Sequence, residues 1–218
     1  MLRCVSILTL ALAVAIGSAN RAAFALDANH QLPPLGEAMH VGGEVLAPIA
    51  FEDFCRRTPS ECTPDQARPL RIVLTQARWQ DLTDINDIVN RTVTARSDLD
   101  LYGLVDYWTI AGRFGDCEDY ALTKQLMLHQ RGWPLGALLM TVVRDENGEG
   151  HAILTARTSR GDFVLDNRQP KVVAWNATPY QFIKRQSTAD PHVWLALTPG
   201  LALPRESTVA ALSSGPRR

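Results

Sequence analysis

Apolar residues recur every three or four positions at Trp79, Leu82, Ile85 and Val89, while Gln80, Asp81, Asp84 and Asn90 take the other faces. That period predicts an amphipathic helix from about Thr75 to Thr92 with one stripe packed on a core. A second helix is expected from Cys117 to Gln130. No Gly or Pro interrupts it after Tyr120, and Ala121, Leu122, Leu126, Met127 and Leu128 are good helix formers. Gly115 and Asp116 supply turn and N-cap chemistry, an Asp116 oxygen accepting from the first free N–H groups. Gly132 suits a left-handed cap and Pro134 a stop. Beyond Pro134 the pattern becomes that of strands: Ala137 to Val143, His151 to Thr158, Phe163 to Leu165, Lys171 to Trp175 and Val193 to Leu197. Asp145-Glu146-Asn147-Gly148 is the turn between the first two. Another short strand is expected at Leu70 to Leu74. Helices first and an antiparallel sheet second predict an α+β fold.

The ends read differently. Arg3 precedes an apolar run from Val5 to Gly17, too short for a membrane span, and Ala23-Phe24-Ala25 follows as a cleavage site, with Gly17-Ser18-Ala19 as an alternative. Residues 1–25 are therefore expected to be a signal peptide, with the product periplasmic or secreted and no stable span after cleavage. Residues 26–50, with Pro33, Pro34 and Pro48, read as an extended arm on the surface. A single domain is expected over 51–200, with a disordered tail over 201–218. Residues 93–114 form a connection feeding the second helix. The net charge of −1, without a basic run, argues against nucleic acid as a partner.

Export places the cysteines in an oxidising compartment. Cys4 lies in the targeting segment. Cys55 and Cys62 bracket a turn-rich loop and are expected to pair, which leaves Cys117 as a free thiol. Cys117 sits in the first turn of its helix, where the dipole favours a thiolate. A cysteine nucleophile needs a base, and the base needs an orienting acceptor. His151 opens one strand and Asp166 ends the next, so Cys117, His151 and Asp166 occur in the order a papain-like core requires. His30, His40, His129 and His192 fit less well. A turn centred on Arg160-Gly161 sets Asp166 opposite Thr155, four residues or roughly 13 Å from His151. A turn near Thr158-Ser159, or a bulge, sets it opposite His151.

The segments Gly115-Asp116-Cys117-Glu118-Asp119-Tyr120-Ala121, Gly150-His151-Ala152-Ile153-Leu154 and Val164-Leu165-Asp166-Asn167 resemble the bacterial transglutaminase-like cysteine proteinase family, which includes the LapG-type periplasmic proteases. The resemblance runs from about Phe51 to Leu197. It implies a papain-like, transglutaminase-like core with Cys117 as nucleophile, His151 as base and Asp166 as orienter. It implies calcium beside the cysteine, with Asp116, Glu118 and Asp119 at the matching positions. For a subset of members it implies a surface adhesin as protein substrate, release of biofilm, and an inner-membrane receptor that senses cyclic di-GMP.

Physical chemistry bears on the calcium. Three carboxylates beside Cys117 oppose a thiolate. Either they point to solvent as an acidic helix start, or a hard cation such as Ca²⁺ takes their oxygens. Neighbours on a helix point apart, so at least two of them plus main-chain oxygens is the set expected to converge. The leading reading is an exported cysteine endopeptidase. Acyl transfer to an amine uses the same triad, and a non-catalytic binding domain keeps the same fold. Amine incorporation separates the first two, and the alkylation rate of Cys117 separates the third.

Overall fold

The computed structural model describes residues 31–64 and 71–198. The signal peptide, the start of the arm, Leu70 and the tail lie outside the described residues. The chain is α+β as expected. Four helices, α1 (Ile49–Arg57), α2 (Gln76–Thr92), α3 (Asp98–Tyr102) and α4 (Cys117–Gln130), accompany a seven-stranded sheet in which every pairing is antiparallel. Its strands are β1 (Glu44–Val45), β4 (Leu138–Arg144), β5 (Gly150–Thr158), β6 (Gly161–Leu165), β7 (Val173–Ala174), β8 (Gln181–Gln186) and β9 (Trp194–Ala196), in the order β1-β9-β8-β4-β5-β6-β7. A small parallel pair, β2 (Thr94–Ala95) and β3 (Phe114–Gly115), leads into α4.

The helix stripe is buried where the period placed it: Trp79, Leu82, Ile85 and Val89 all lie in the main core. Thr75 caps α2 by accepting from the Arg78 N–H at 3.3 Å. α4 ends in a Schellman motif, with Gly132 N–H on His129 O at 2.8 Å, Trp133 N–H on Leu128 O at 3.1 Å, and Gly132 at φ 81°. α2 and α4 pack antiparallel, tied by Tyr120 Oη–H to Val93 O at 2.6 Å and by Trp133 Nε1–H to Asp81 Oδ2 at 3.1 Å.

Alternation along the central strands buries both faces. Met140, Ala152, Leu154, Phe163 and Leu165 face the helices, whereas Val143, Ile153, Val164 and Phe182 form a second cluster with Met39 of the arm. The arm is built in. Gly36 N–H bonds Arg160 O at 2.8 Å, Met39 N–H bonds Asp162 Oδ2 at 2.9 Å, and Glu44–Val45 adds the outermost strand.

Residues 93–114, expected as a connection, hold β2, α3 and the start of β3, and three further elements differ from the expected ones. α1 begins at Ile49, so the arm yields to a helix after Pro48; Ala50, Phe51, Phe54 and Cys55 are its buried stripe. β8, a central strand, carries the polar sequence QFIKRQ. The segment around Ile72 makes only an isolated bridge to Thr158. Cys55 and Cys62 are joined with Cα atoms 5.5 Å apart, linking the end of α1 to the turn behind it, and Cys117 is free, both as expected.

Candidate active site

The start of α4 is shaped by contact with its own third residue. A Cβ on Gly115 would lie 2.7 Å from Asp119 Cβ and 2.8 Å from its Oδ2, so only glycine allows this approach. Asp119 accepts the Thr109 N–H at 2.8 Å, and the Asp116 main-chain N–H also points at it. Asp116 stands at the N-cap, but its side chain does not cap the helix; Oδ2 accepts the Asp98 N–H at 3.2 Å instead.

Cys117 takes the first helical position, half-buried. Its thiol donates to Glu118 Oε2 at 3.0 Å, and Sγ receives the Ala152 N–H at 3.5 Å. The thiol therefore abuts β5 one residue past His151. Burial pushes the Cys117 thiol well up, and the charge of Glu118 adds to this. The helix dipole alone does not give the lowered thiol that the helix start suggested.

His151 and Asp166 meet. Nε2 and Asp166 Oδ1 are 2.9 Å apart, and both side chains are fully buried. The register lies midway between the two expected ones. Thr158 faces Gly161 and Leu154 faces Leu165, so Ser159-Arg160 is the turn. Continued by one residue, this sets Asp166 against Ile153, diagonal to His151, within side-chain reach without a bulge. Tyr180 Oη–H donates to Asp166 Oδ2 at 2.6 Å, and the Arg168 N–H donates to Oδ1 at 2.9 Å. Burial acts to raise the Asp166 carboxyl, but the bonds from His151, Tyr180 and Arg168 outweigh it and hold its pKa below the ordinary value. The Tyr180 ring meets the imidazole edge-on, centroids 5.6 Å apart. His151 Nδ1 is buried and has no hydrogen-bond partner among the described residues, which leaves it free for proton exchange. Cys117 and His151 line one open cleft of about 310 Å³, with Trp108, Glu118, Gly150 and Lys184 among its walls.

Asp98, Asp116 and Glu118 bring one oxygen each within 4.8 Å of one another. Asp119 lies outside this group; its Oδ1 takes the Thr109 N–H, and its Oδ2 is buried without a hydrogen-bond partner among the described residues. Asp98 was missed in the sequence because it lies far from the cysteine motif and carries no local signal. Its Oδ2 accepts the Tyr107 N–H, while Asp98 Oδ1 and Asp116 Oδ1 are buried without a hydrogen-bond partner among the described residues. Burial, with the charge of Asp116 adding, pushes Glu118 up to about 9; burial likewise raises Asp98, and Asp119 to about 7. Converging buried acids with orphaned oxygens fit a hard divalent cation.

A thiol at a helix start beside a buried His–Asp pair is the arrangement that a cysteine nucleophile with a base and an orienting acid would need. A family profile described as "Bacterial transglutaminase-like cysteine proteinase BTLCP" matches residues 41–201, and the chain belongs to that family. Among solved structures it is similar to Legionella pneumophila LapG in its calcium-bound form, at 21% identity and TM-score 0.47, covering 71% of this chain and 83% of that one. A second Legionella pneumophila LapG structure shares 22% identity at TM-score 0.46, covering 67% and 78%. The EGTA-treated form shares 20% at 0.46, covering 68% and 77%. No curated protein matches significantly.

Proposed function

We propose that this chain is an exported cysteine endopeptidase acting on a protein substrate, with Cys117 as nucleophile, His151 as general base and Asp166 as orienter. The observation that carries this reading is the buried 2.9 Å contact of His151 Nε2 with Asp166 Oδ1, beside a free thiol that shares a cleft with the same histidine. Asp166, held by Tyr180 and Arg168, fixes the imidazole with Nε2 protonated. Nδ1 then takes the proton of Cys117 as sulfur attacks the peptide carbonyl, and returns it to the leaving amine. The Cys117 N–H, at the open end of α4, supplies one donor to the oxyanion.

Asp98, Asp116 and Glu118 would hold calcium. Bound there, it supplies positive charge beside the thiol and fixes the helix start. A Cys55–Cys62 disulfide accords with an oxidising, periplasmic or secreted location, and among the described residues no helix is long and apolar enough to cross a membrane. A surface adhesin as substrate and a cyclic di-GMP receptor as regulator rest on the family resemblance alone.

The test is N-terminal sequencing of surface and periplasmic proteins from cells carrying the wild-type chain or Cys117→Ala. New termini that vanish with Cys117→Ala are expected, and an unchanged set of termini would refute the reading. With a purified substrate, chelation should abolish cleavage and calcium should restore it.

A further inference from the structure

Behind the His151–Asp166 pair lies a second set of buried polar groups, between α2, α4 and the turn that follows β6. Asn90 Nδ2 donates to the main-chain carbonyl of Asp166 at 2.9 Å and to that of Gln169 at 3.3 Å. Asn86, one helical turn earlier, donates to the carbonyls of Gln169 and Pro170 at 3.2 and 3.4 Å. The turn that carries the triad acid thus hangs from two amides of one helix. Asn90 Oδ1, the other end of its amide, is buried and has no hydrogen-bond partner among the described residues.

A buried donor is orphaned as well. Lys124 has 0% exposure, and its Nζ has no hydrogen-bond partner among the described residues. The antiparallel packing of α2 and α4 is anchored where Tyr120 meets Val93 and where Trp133 meets Asp81. Counting along the two helices from these anchors sets Lys124 level with Val89 and Asn90. Burial lowers the Lys124 pKa to about 7, and the one charge opposing that shift is Asp166. Nζ lies over the Tyr120 ring, 5.9 Å from its centroid, but a core lysine with no hydrogen bond remains costly, and an apolar residue there would pack without that cost. Its retention calls for a task.

We propose that Asn90 and Lys124 are positioning residues for Asp166: the Lys124 amino group, through a buried water, holds Asn90 Oδ1 and so turns Asn90 Nδ2 onto the Asp166 carbonyl. An Asn amide has nearly the same shape in both orientations, and its partners decide which end faces which way. Flipped, Asn90 would set its oxygen against the Asp166 carbonyl oxygen. A donor beside Oδ1 excludes that orientation. Buried waters serve such gaps, joining groups that would otherwise be unsatisfied. The effect on catalysis passes from Lys124 to Asn90, to the turn, to Asp166, and then to the imidazole. The inference rests on Asp166 orienting His151.

The experiment alkylates Cys117 with iodoacetamide in the mature chain with calcium present, and records the ¹⁵N shifts of the His151 imidazole. The variants are Lys124→Met, Asp166→Asn and the double variant. Lys124→Met is expected to slow alkylation by roughly three- to tenfold and to move the His151 shifts. In the double variant it should add nothing to Asp166→Asn, because it acts through that residue. A purely structural role would lower the melting temperature and leave both readouts of the folded protein at wild-type values, which would overturn the proposal. If Asp166→Asn slows alkylation and Lys124→Met does not, the positioning role alone fails. If Asp166→Asn itself alkylates at the wild-type rate, the triad reading fails. Should Lys124→Met not fold, Asn90→Leu carries the same comparison, with the same slowing expected and a wild-type rate overturning it.

Discussion

At the scale of single residues, three adjacent acids in the motif divide into two tasks. Asp116 and Glu118 turn toward Asp98, while Asp119 takes the Thr109 N–H. Asp98→Ala should therefore weaken calcium binding by at least about tenfold, since one charged ligand is lost from a small set. Asp119→Ala should keep calcium but lose the bond from the Thr109 N–H, costing about 1–2 kcal/mol. Calorimetric titration and thermal melts separate the two, and equal calcium loss in both would refute the division. Lys124 offers a pH test. Its folded pKa of about 7 lies below the ordinary lysine value of 10.5, so between those values the unfolded chain binds more protons and stability rises with pH. Below pH 7 both states are protonated and the full penalty applies. Urea unfolding at pH 7 and pH 9.5 should show wild type gaining stability relative to Lys124→Met. A constant difference between them would mean that the lysine is not desolvated.

At the scale of elements, turns and caps are where local sequence speaks most clearly. Gly132 at φ 81° closes α4, with nothing nearer than 4.0 Å to an added Cβ. Gly161 at φ 109° starts β6, and there a Cβ would lie 2.8 Å from the Gly36 main chain. Gly132→Ala should cost about 1 kcal/mol, the price of a left-handed residue. Gly161→Ala should cost clearly more, because the arm must also move. Urea midpoints test this, and similar losses would show that the arm gives way easily. α2, α4 and the hairpin of β4 and β5 were legible because their periods and end signals agree. α1 has a helical spacing at Ala50, Phe51, Phe54 and Cys55, but it follows directly on a proline-bearing arm and was passed over. β8 was illegible for a firmer reason. Its Arg185 and Gln186 are buried, and Gln186 Oε1 takes the Met140 N–H at 2.8 Å, a partner that exists only once the sheet has formed.

At the scale of the molecule, the arm covers the sheet face away from the helices. Removing residues 31–42 would take away Met39 with its N–H bond to buried Asp162, and would uncover Val143, Ile153, Val164 and Phe182. A loss of roughly 2–4 kcal/mol is expected from the apolar area and the bond together. Urea unfolding checks it, and unchanged stability would mean that the arm only lies on the surface, as its composition suggested. That arm shows how far local composition reaches: prolines and glycines specify extended chain, and they do not say what the extended chain lies upon. The sequence by itself determined the α+β class, the helix that presents Cys117, the strand that bears His151, the strand that leads into Asp166, and the Cys55–Cys62 pairing. Each of these rests on period, end chemistry or nearness along the chain, which are local. Only the tertiary structure decided that Asp166 reaches His151 on a diagonal, that Asp98 gathers with Asp116 and Glu118, and that Asn90 of α2 holds the main chain of Asp166. Those are meetings of residues far apart in sequence. Strand register, helix packing and the turn of each side chain set them, and no local pattern encodes a distance across the fold.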